Sequence, residues 1–249
     1  MPLRLAVMQP YLFPYLGYWQ LLAAVDRFVL LDDVNYINRG WINRNRIALG
    51  GRPAWLTMPL LGASQNRLIC DIEVVADDGW KAKMLRTVTE AYAHAPEAEA
   101  GLALFREWLA GAAGNLSRVL HGGLTRVAAA LKIATEIVPS SAIYPKNGLT
   151  GQQRILDICR REGATHYVNL PGGETLYDGE AFGGAGIELL FLRPDLHVGR
   201  LRSGADDGSV LSILDAMMYN PGHVLAAAAR EFDLQPAQQG GGPTLESVR

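Results

Sequence analysis

The sequence predicts an α/β protein: a Rossmann-like, mostly parallel sheet flanked by helices, with a helical insertion in the middle. Three observations carry this. The chain opens on a short strand–helix–strand pattern, strands and helices alternate again towards the C-terminus, and the stretch between is dominated by amphipathic helical periodicity. A hydrophobic content of 49% and a charged content of 19% permit a sizeable core.

In chain order, Leu3 to Met8 is a mostly apolar run ended by Gln9-Pro10, which reads as a buried strand. Gly17 to Val25 is helix-compatible, and Phe28 to Leu31 is a second buried strand closed by Asp32-Asp33. A polar, basic, aromatic segment follows, "NYINRGWINRNRI", then a strand centred on Ala54 to Met58 and a strand candidate in "ICDIEVV". Trp80, Met84, Leu85, Val88 and Tyr92 fall at helical spacing. Leu102 to Leu109 and Val119 to Leu131 are further helices, the latter with Asn115 or Ser117 as its cap. The insertion therefore covers about 80–131. "KIATEIVPSS" reads as a strand exit and Thr150 to Arg161 as a helix. "GATHYVNLPGG" gives turn, strand and glycine-rich turn, and "GIELLFLRP" a last strand. "SVLSILDAMMYN" and Val224 to Phe232 complete the helices. The expected organisation is one α/β domain over 1–234 and a low-complexity, disordered tail over 235–249.

A net charge of −2 gives no electrostatic footprint for a duplex-binding protein, although a local basic stretch could still hold phosphates. Cys70 and Cys159 lack metal-ligand spacing and fit a reducing compartment, so neither zinc nor a disulfide is expected. Pro10, Pro14 and Gln20 break the apolar N-terminus, and no apolar run is long enough to span a bilayer. A soluble, cytoplasmic protein is expected.

In open α/β sheets, ligands lie beyond the carboxyl ends of the strands. Here those ends are Gln9 to Gly17, Asp32 to Tyr36, Thr57 to Pro59, Val138 to Lys146 and Asn169 to Tyr177, and they hold most of the unusual polar residues. In "MQPYLFPYLGYWQLL", Gly17 would let a helix start close to a phosphate, with Gln9 and Tyr18 as hydrogen-bonding groups and Pro10 fixing the turn. The competing reading is a tight hydrophobic turn. Asp32 and Asp33 could hold a ribose hydroxyl, a metal-bridged phosphate or an amine, or act as general base, with Asp33 leading. The alternative is a cap or a solvated turn. If "NRGWINRNRI" is extended, Asn43 and Asn45 share one face and Arg44 and Arg46 the other. Guanidinium forks suit phosphate or carboxylate, and asparagine can fix an amide or sugar hydroxyl. The alternative is a solvated edge.

"YPKNGLTGQQRIL" resembles a loop feeding a helix N-terminus, with Lys146, Asn147, Gly148, Thr150 and Gly151 around an anion, but it is not a Walker motif. Simple capping by Thr150 competes. "THYVNLPGGETLY" ends a strand in Asn169 before Gly172, Gly173 and Tyr177, a glycine pair that permits close backbone approach or a plain turn. His166 and His197 read as structural. No catalytic triad order, H-E-x-x-H or paired cysteine base stands out.

The N-terminal block from Met8 to Ile47, with "WLTMPL", "GATHYVNLPGG" and "LSILDAM", resembles the WbqC-like protein family over nearly the whole chain before the tail. The positions matching that family's pattern are Gln9, Pro10, Pro14, Gly17, Tyr18, Asp32, Asp33, Asn43, Arg44, Asn45 and Arg46. The resemblance implies a place in surface-polysaccharide or natural-product biosynthesis, and attachment of an amino acid such as glycine to an amine. An architectural likeness to the HIGH-type turn of nucleotidyltransferases is also present. That motif's two histidines are missing, with Tyr15 and Tyr18 at the corresponding spacing from Gly17, which speaks against standard adenylation.

The leading expectation is therefore a group-transfer enzyme joining an activated acyl or aminoacyl group to an amine acceptor, such as a nucleotide-linked amino sugar. Asp33, Asp32 and Arg44 are the candidate catalytic residues. Gln9, Pro10, Gly17, Tyr18, Tyr36, Asn43, Asn45, Arg46, Asn169, Gly172 and Tyr177 are the candidate binding residues. ATP, acyl-CoA or an aminoacyl-tRNA are possible donors, the last not indicated by net charge. No metal is expected. A non-catalytic nucleotide-sugar-binding or assembly protein and an ATP-dependent ligase or nucleotidyltransferase are the alternatives. An oxidoreductase is disfavoured because G-x-G-x-x-G is absent from the first turn.

Overall fold

The structure is a computed structural model that describes residues 2–194, 201–205 and 207–237. Its centre is a six-stranded sheet. β1 (Arg4–Met8), β2 (Arg27–Leu30), β7 (Glu136–Val138), β8 (His166–Asn169) and β9 (Glu188–Pro194) are mutually parallel, and β10 (Phe232–Pro236) runs antiparallel at one edge. The order β10-β9-β8-β1-β2-β7 is that of a doubly wound sheet. The chain moves outward from β1 through β2 to β7, then returns to the other side of β1 and moves outward again. The switch point therefore lies between β1 and β8.

The strands are nearly continuous hydrophobic runs because both faces of the sheet are covered. Ala6, Phe28, Leu30, Val168, Leu190 and Leu192 point into the larger core, with α1 (Leu16–Ala23), α2 (Gly79–Ala91), α3 (Ala98–Ala110), α4 (Leu116–Ala130), α7 (Ile213–Tyr219) and α8 (Gly222–Ala228). Their alternating neighbours Leu5, Val7, Val29, Tyr167, Leu189 and Phe191 point into a second core under α5 (Gly151–Glu162) and α6 (Gly179–Gly184). Because these strands are adjacent and parallel, the carboxyl ends of β1, β2, β7 and β8 lie along one edge of the sheet.

The middle of the chain, between β2 and β7, holds α2, α3 and α4, matching the expected helical insertion. It also contains the hairpin of β3 (Arg44–Leu49) and β4 (Arg52–Thr57), and a two-residue pair, β5 (Leu60–Leu61) with β6 (Glu73–Val74). Asn115 caps α4, its side chain accepting the Arg118 N–H at 3.3 Å.

Three expectations are corrected. "ICDIEVV" is mainly a 3-10 turn, Ile69–Asp71, and only Glu73 and Val74 pair as a strand. The last helix ends at Ala228, and Phe232 instead opens β10. Gln235 and Pro236 belong to β10, paired with Phe191 and Leu190, rather than to a tail, while residues 238–249 lie outside the described residues. Their edge position explains this: Pro236 is tolerated on an edge strand, and the pairing partner is remote in sequence.

Candidate functional site

At the switch point the strands separate. β1 pairs with β2 as far as Met8↔Leu30, but with β8 only at Arg4↔His166 and Leu5↔Tyr167. Beyond Leu5, the gap is spanned by Tyr167, whose hydroxyl donates to the Val7 carbonyl at 3.4 Å and meets the Tyr177 hydroxyl at 3.4 Å. Asn169 is buried at the end of β8. Its amide donates to the Tyr167 hydroxyl and its carbonyl accepts the Leu170 N–H. Gly173 is needed here, since a Cβ would lie 2.8 Å from the Asn169 amide nitrogen; Gly172 is exposed with open space around it.

The turn after β1 is pinned from two remote elements. Phe13 takes φ +43°, unusual for a bulky residue, and its ring packs edge-on to Trp108 at 4.8 Å. The Phe13 carbonyl accepts from the Asn45 amide at 2.8 Å and the Ser212 hydroxyl at 2.7 Å, and Asn45 also donates to the Leu12 carbonyl at 3.0 Å. Trp19 donates to the Pro14 carbonyl and Tyr18 to the Gln9 carbonyl. Pro10 is buried. Gly17 makes room for the Tyr15 ring, which a Cβ would approach to 2.5 Å. The Gln9 side chain is half-buried and makes no hydrogen bond among the described residues. Burial foremost, then Tyr15, pushes the Tyr11 phenol up, and burial alone raises that of Tyr15.

Next to this turn, at the ends of β2 and β7, lies a buried polar network. Asp32 and Asp33 are 0% and 6% exposed. Asp32 Oδ1 accepts from the Ser140 hydroxyl at 2.7 Å and the Ser141 N–H at 3.1 Å. The Ser141 hydroxyl accepts the Asp32 and Asp33 backbone N–H groups and donates to Asp33 Oδ1. Asp33 Oδ2 forms an ion pair with Arg154 at 2.8 Å, both side chains being buried. Arg154 also donates to the carbonyls of Ser141, Tyr144 and Pro145, and Lys146 to the Asp33 carbonyl at 2.8 Å. Asp33 is thus fully engaged. Asp32 is not: its Oδ2 is buried without a partner among the described residues. Cys70 lies alongside, its N–H donating to the Asp32 carbonyl; burial, then the Asp32 charge, pushes its thiol up to about 11.

The alternation expected in "NRGWINRNRI" is present. Asn43 and Asn45 are buried, while Arg44 and Arg46 lie on the outward face of the β3–β4 hairpin. Asn43 accepts from the buried Tyr36 hydroxyl at 2.7 Å and donates to the Met58 carbonyl at 2.8 Å. The Arg44 guanidinium sits 4.0 Å from the Trp55 ring centroid and donates to the Gly40 carbonyl; that of Arg46 sits 5.5 Å from Trp41 and donates to the Val210 carbonyl.

The expected site residues therefore divide. Asp32, Asp33, Gln9, Pro10, Gly17, Tyr18, Asn169, Gly172 and Tyr177 gather at the strand ends. Tyr36, Asn43 and Asn45 hold the hairpin and first turn by buried bonds. Arg44 and Arg46 face outward on the hairpin. The loop before α5 contributes Lys146 to the network, and Thr150 occupies the helix N-cap without a side-chain bond. His166 pairs with Glu188 at 3.2 Å, and His197 lies outside the described residues.

Sequence reading missed Arg154, Ser140 and Ser141. Arg154 sits in a helix with ordinary amphipathic spacing, and the serines in a strand exit, so no local signal marked them. It also missed Asp215, a buried carboxylate bonded to Tyr92, Ser203 and Gly204, whose burial pushes its pKa up.

Among the described residues, no group of three His, Cys, Asp or Glu side chains is arranged to hold a metal ion, and no helix is long and apolar enough to cross a membrane.

The family model of the WbqC-like protein family matches residues 9–225, and the chain belongs to that family. It is similar to an uncharacterised protein of Mycobacterium tuberculosis (strain ATCC 25618 / H37Rv), Rv1507c, with 28% identity over 226 residues, covering 88% of this chain and 94% of the relative. No solved structure matches the chain.

Proposed function

We propose that this member of the WbqC-like protein family is a group-transfer enzyme that acylates an amine at the carboxyl ends of β1, β2 and β8. One observation carries the reading: the partnerless, buried Oδ2 of Asp32 at the carboxyl end of β2, the strand next to β1 on the edge where the switch point opens. A buried carboxylate oxygen without a hydrogen bond is costly, and natural structures keep such groups chiefly where they serve a purpose.

In this reading, Asp32 receives the proton of the attacking amine. The amine nitrogen forms a bond to the activated carbonyl carbon, the bond from that carbon to the leaving group breaks, and the amine proton passes to Asp32 Oδ2. Ser140 and Ser141 hold the other oxygen and so fix the carboxylate's orientation. Asp33 acts through Arg154 and Ser141 as a positioning residue. Gln9 and Asn169 flank the gap where the substrates lie, with Gly172 leaving space for close approach and Tyr177 closing the β8 side. The donor is an activated acyl or aminoacyl group carried by ATP-derived adenylate, CoA or tRNA, and the acceptor an amine of the amino-sugar class. Surface-polysaccharide or natural-product biosynthesis is the setting this implies.

The test is turnover of amine acceptors with each donor class by the wild type and Asp32→Asn. That substitution keeps the shape while removing the proton acceptor, and general-base loss costs about 10²- to 10⁴-fold in rate. Binding of nucleotide sugars without turnover under any donor would establish instead the non-catalytic binding or assembly role.

A further inference from the structure

The net charge of −2 conceals an uneven distribution. From Val34 to Cys70 the chain has no aspartate, glutamate or lysine and five arginines: Arg39, Arg44, Arg46, Arg52 and Arg67. The β3–β4 hairpin lies in this stretch. Its inward face is taken by Asn45, Ile47 and Leu56, and its outward face pairs Arg46 with Trp55 and Arg44 with Thr57.

On that outward face, Trp41 and Trp55 lean together with ring centroids 5.4 Å apart at 40°. They are 40% and 49% exposed, unusual for the largest apolar side chain, and each has a guanidinium lying over it. Arg44 and Arg46 are held in place by backbone carbonyls rather than by carboxylates, so no described ion pair neutralises them. The exposed Asp207 carboxyl is held low mainly by Ser209 and only lastly by Arg46. Exposed Ile37 and Leu49 extend the apolar character of the surrounding segment.

We propose that this face binds single-stranded nucleic acid. Exposed indoles and guanidinium planes stack on bases regardless of sequence, and fixed arginines track the phosphates. A carbohydrate would use the indoles but leave the arginine excess unanswered. A duplex hides the base faces that the indoles need. A strand of joined nucleotides uses both features at once. The site is separate from the carboxylate network and does not rest on the group-transfer reading.

The test is fluorescence anisotropy of the full chain with a labelled single-stranded RNA of about ten nucleotides. Three or four phosphate contacts give a salt slope of about −2 to −3, so affinity should fall roughly twenty- to fiftyfold between about 50 and 200 mM salt. Trp41→Ala and Trp55→Ala should each weaken binding about five- to a hundredfold with unchanged thermal melting, while Trp55→Phe retains most of it. Arg44→Gln, on the same face, gives a second variant that keeps both indoles and should weaken binding and reduce the salt slope by about 0.7. The proposal is overturned if the strand does not bind, if the tryptophan variants bind it as wild type does, or if the matching duplex binds equally well. It is also overturned if a mononucleotide or nucleotide sugar displaces the strand at equal concentration, or if the face serves only to join two copies of the chain.

Discussion

The carboxylate network and the β3–β4 hairpin use the same chemistry in opposite ways. At the ends of β2 and β7, charged groups are buried and answer one another: Asp33 with Arg154, Asp32 with Ser140 and Ser141. On the hairpin, the asparagines turn inward to hold backbone, while the arginines turn outward over exposed tryptophans and meet only carbonyls. A dense run of polar residues thus has two outcomes. Where low dielectric surrounds them, polar side chains must satisfy each other, and they become scaffold. Where water reaches them, they stay available to a ligand. Two atoms of the network break the first pattern, Asp32 Oδ2 and Arg154 Nε, and of these only the carboxylate oxygen can accept a proton.

Four measurements would sharpen or break this contrast. The largest effect should come from Asp33→Ala, which removes the closer carboxylate partner of the buried Arg154 and leaves it only Asp157, at 3.6 Å. Urea denaturation should show a loss of about 3–5 kcal/mol, and Asp33→Leu combined with Arg154→Met should lose less than the two single changes together. A loss below about 1 kcal/mol would show that the pair is no scaffold. Asn45→Ala comes next, at about 2 kcal/mol, because the Leu12 and Phe13 carbonyls lose a buried donor at the strained turn. Its circular dichroism should stay native.

The third measurement concerns pH. The raised pKa of Asp215 means that the folded state binds its proton more readily than the unfolded state, so the site's contribution to stability is greatest below the ordinary carboxylate pKa and declines as pH rises through the raised one. Wild type should therefore gain stability relative to Asp215→Asn as pH is lowered through that range, and parallel curves would refute this. The smallest effect belongs to the outward face: Trp55→Ala should shift stability by no more than about 0.5 kcal/mol. A large loss would make the exposed indole a packing residue and merge the two regions into one kind.

Much of the fold was legible locally. β1, β2, β8 and β9 were marked by apolar runs, α2 to α4 by helical spacing, and the two faces of β3 by simple alternation. β10 was not legible, because Phe232–Pro236 becomes a strand only by pairing with β9. The positions at the strand ends were legible too, since Asp32, Asp33, Gln9 and Asn169 all fall at strand exits. Their partners were not: Arg154 reaches Asp33 across 121 positions and Ser141 reaches Asp32 across 109.

By itself, then, the sequence determined the periodicities, and through them which residues share a face and where the strands end. Tertiary structure decided which face turns inward and which polar groups meet. Periodicity follows from backbone geometry within a few residues, whereas burial and pairing depend on which distant segments fold against one another. Asn45 and Arg46 are neighbours in the chain, and both carry side chains with several N–H donors. One became a pin beneath the first turn and the other part of an exposed cationic face, because the core lies on one side of the hairpin and water on the other.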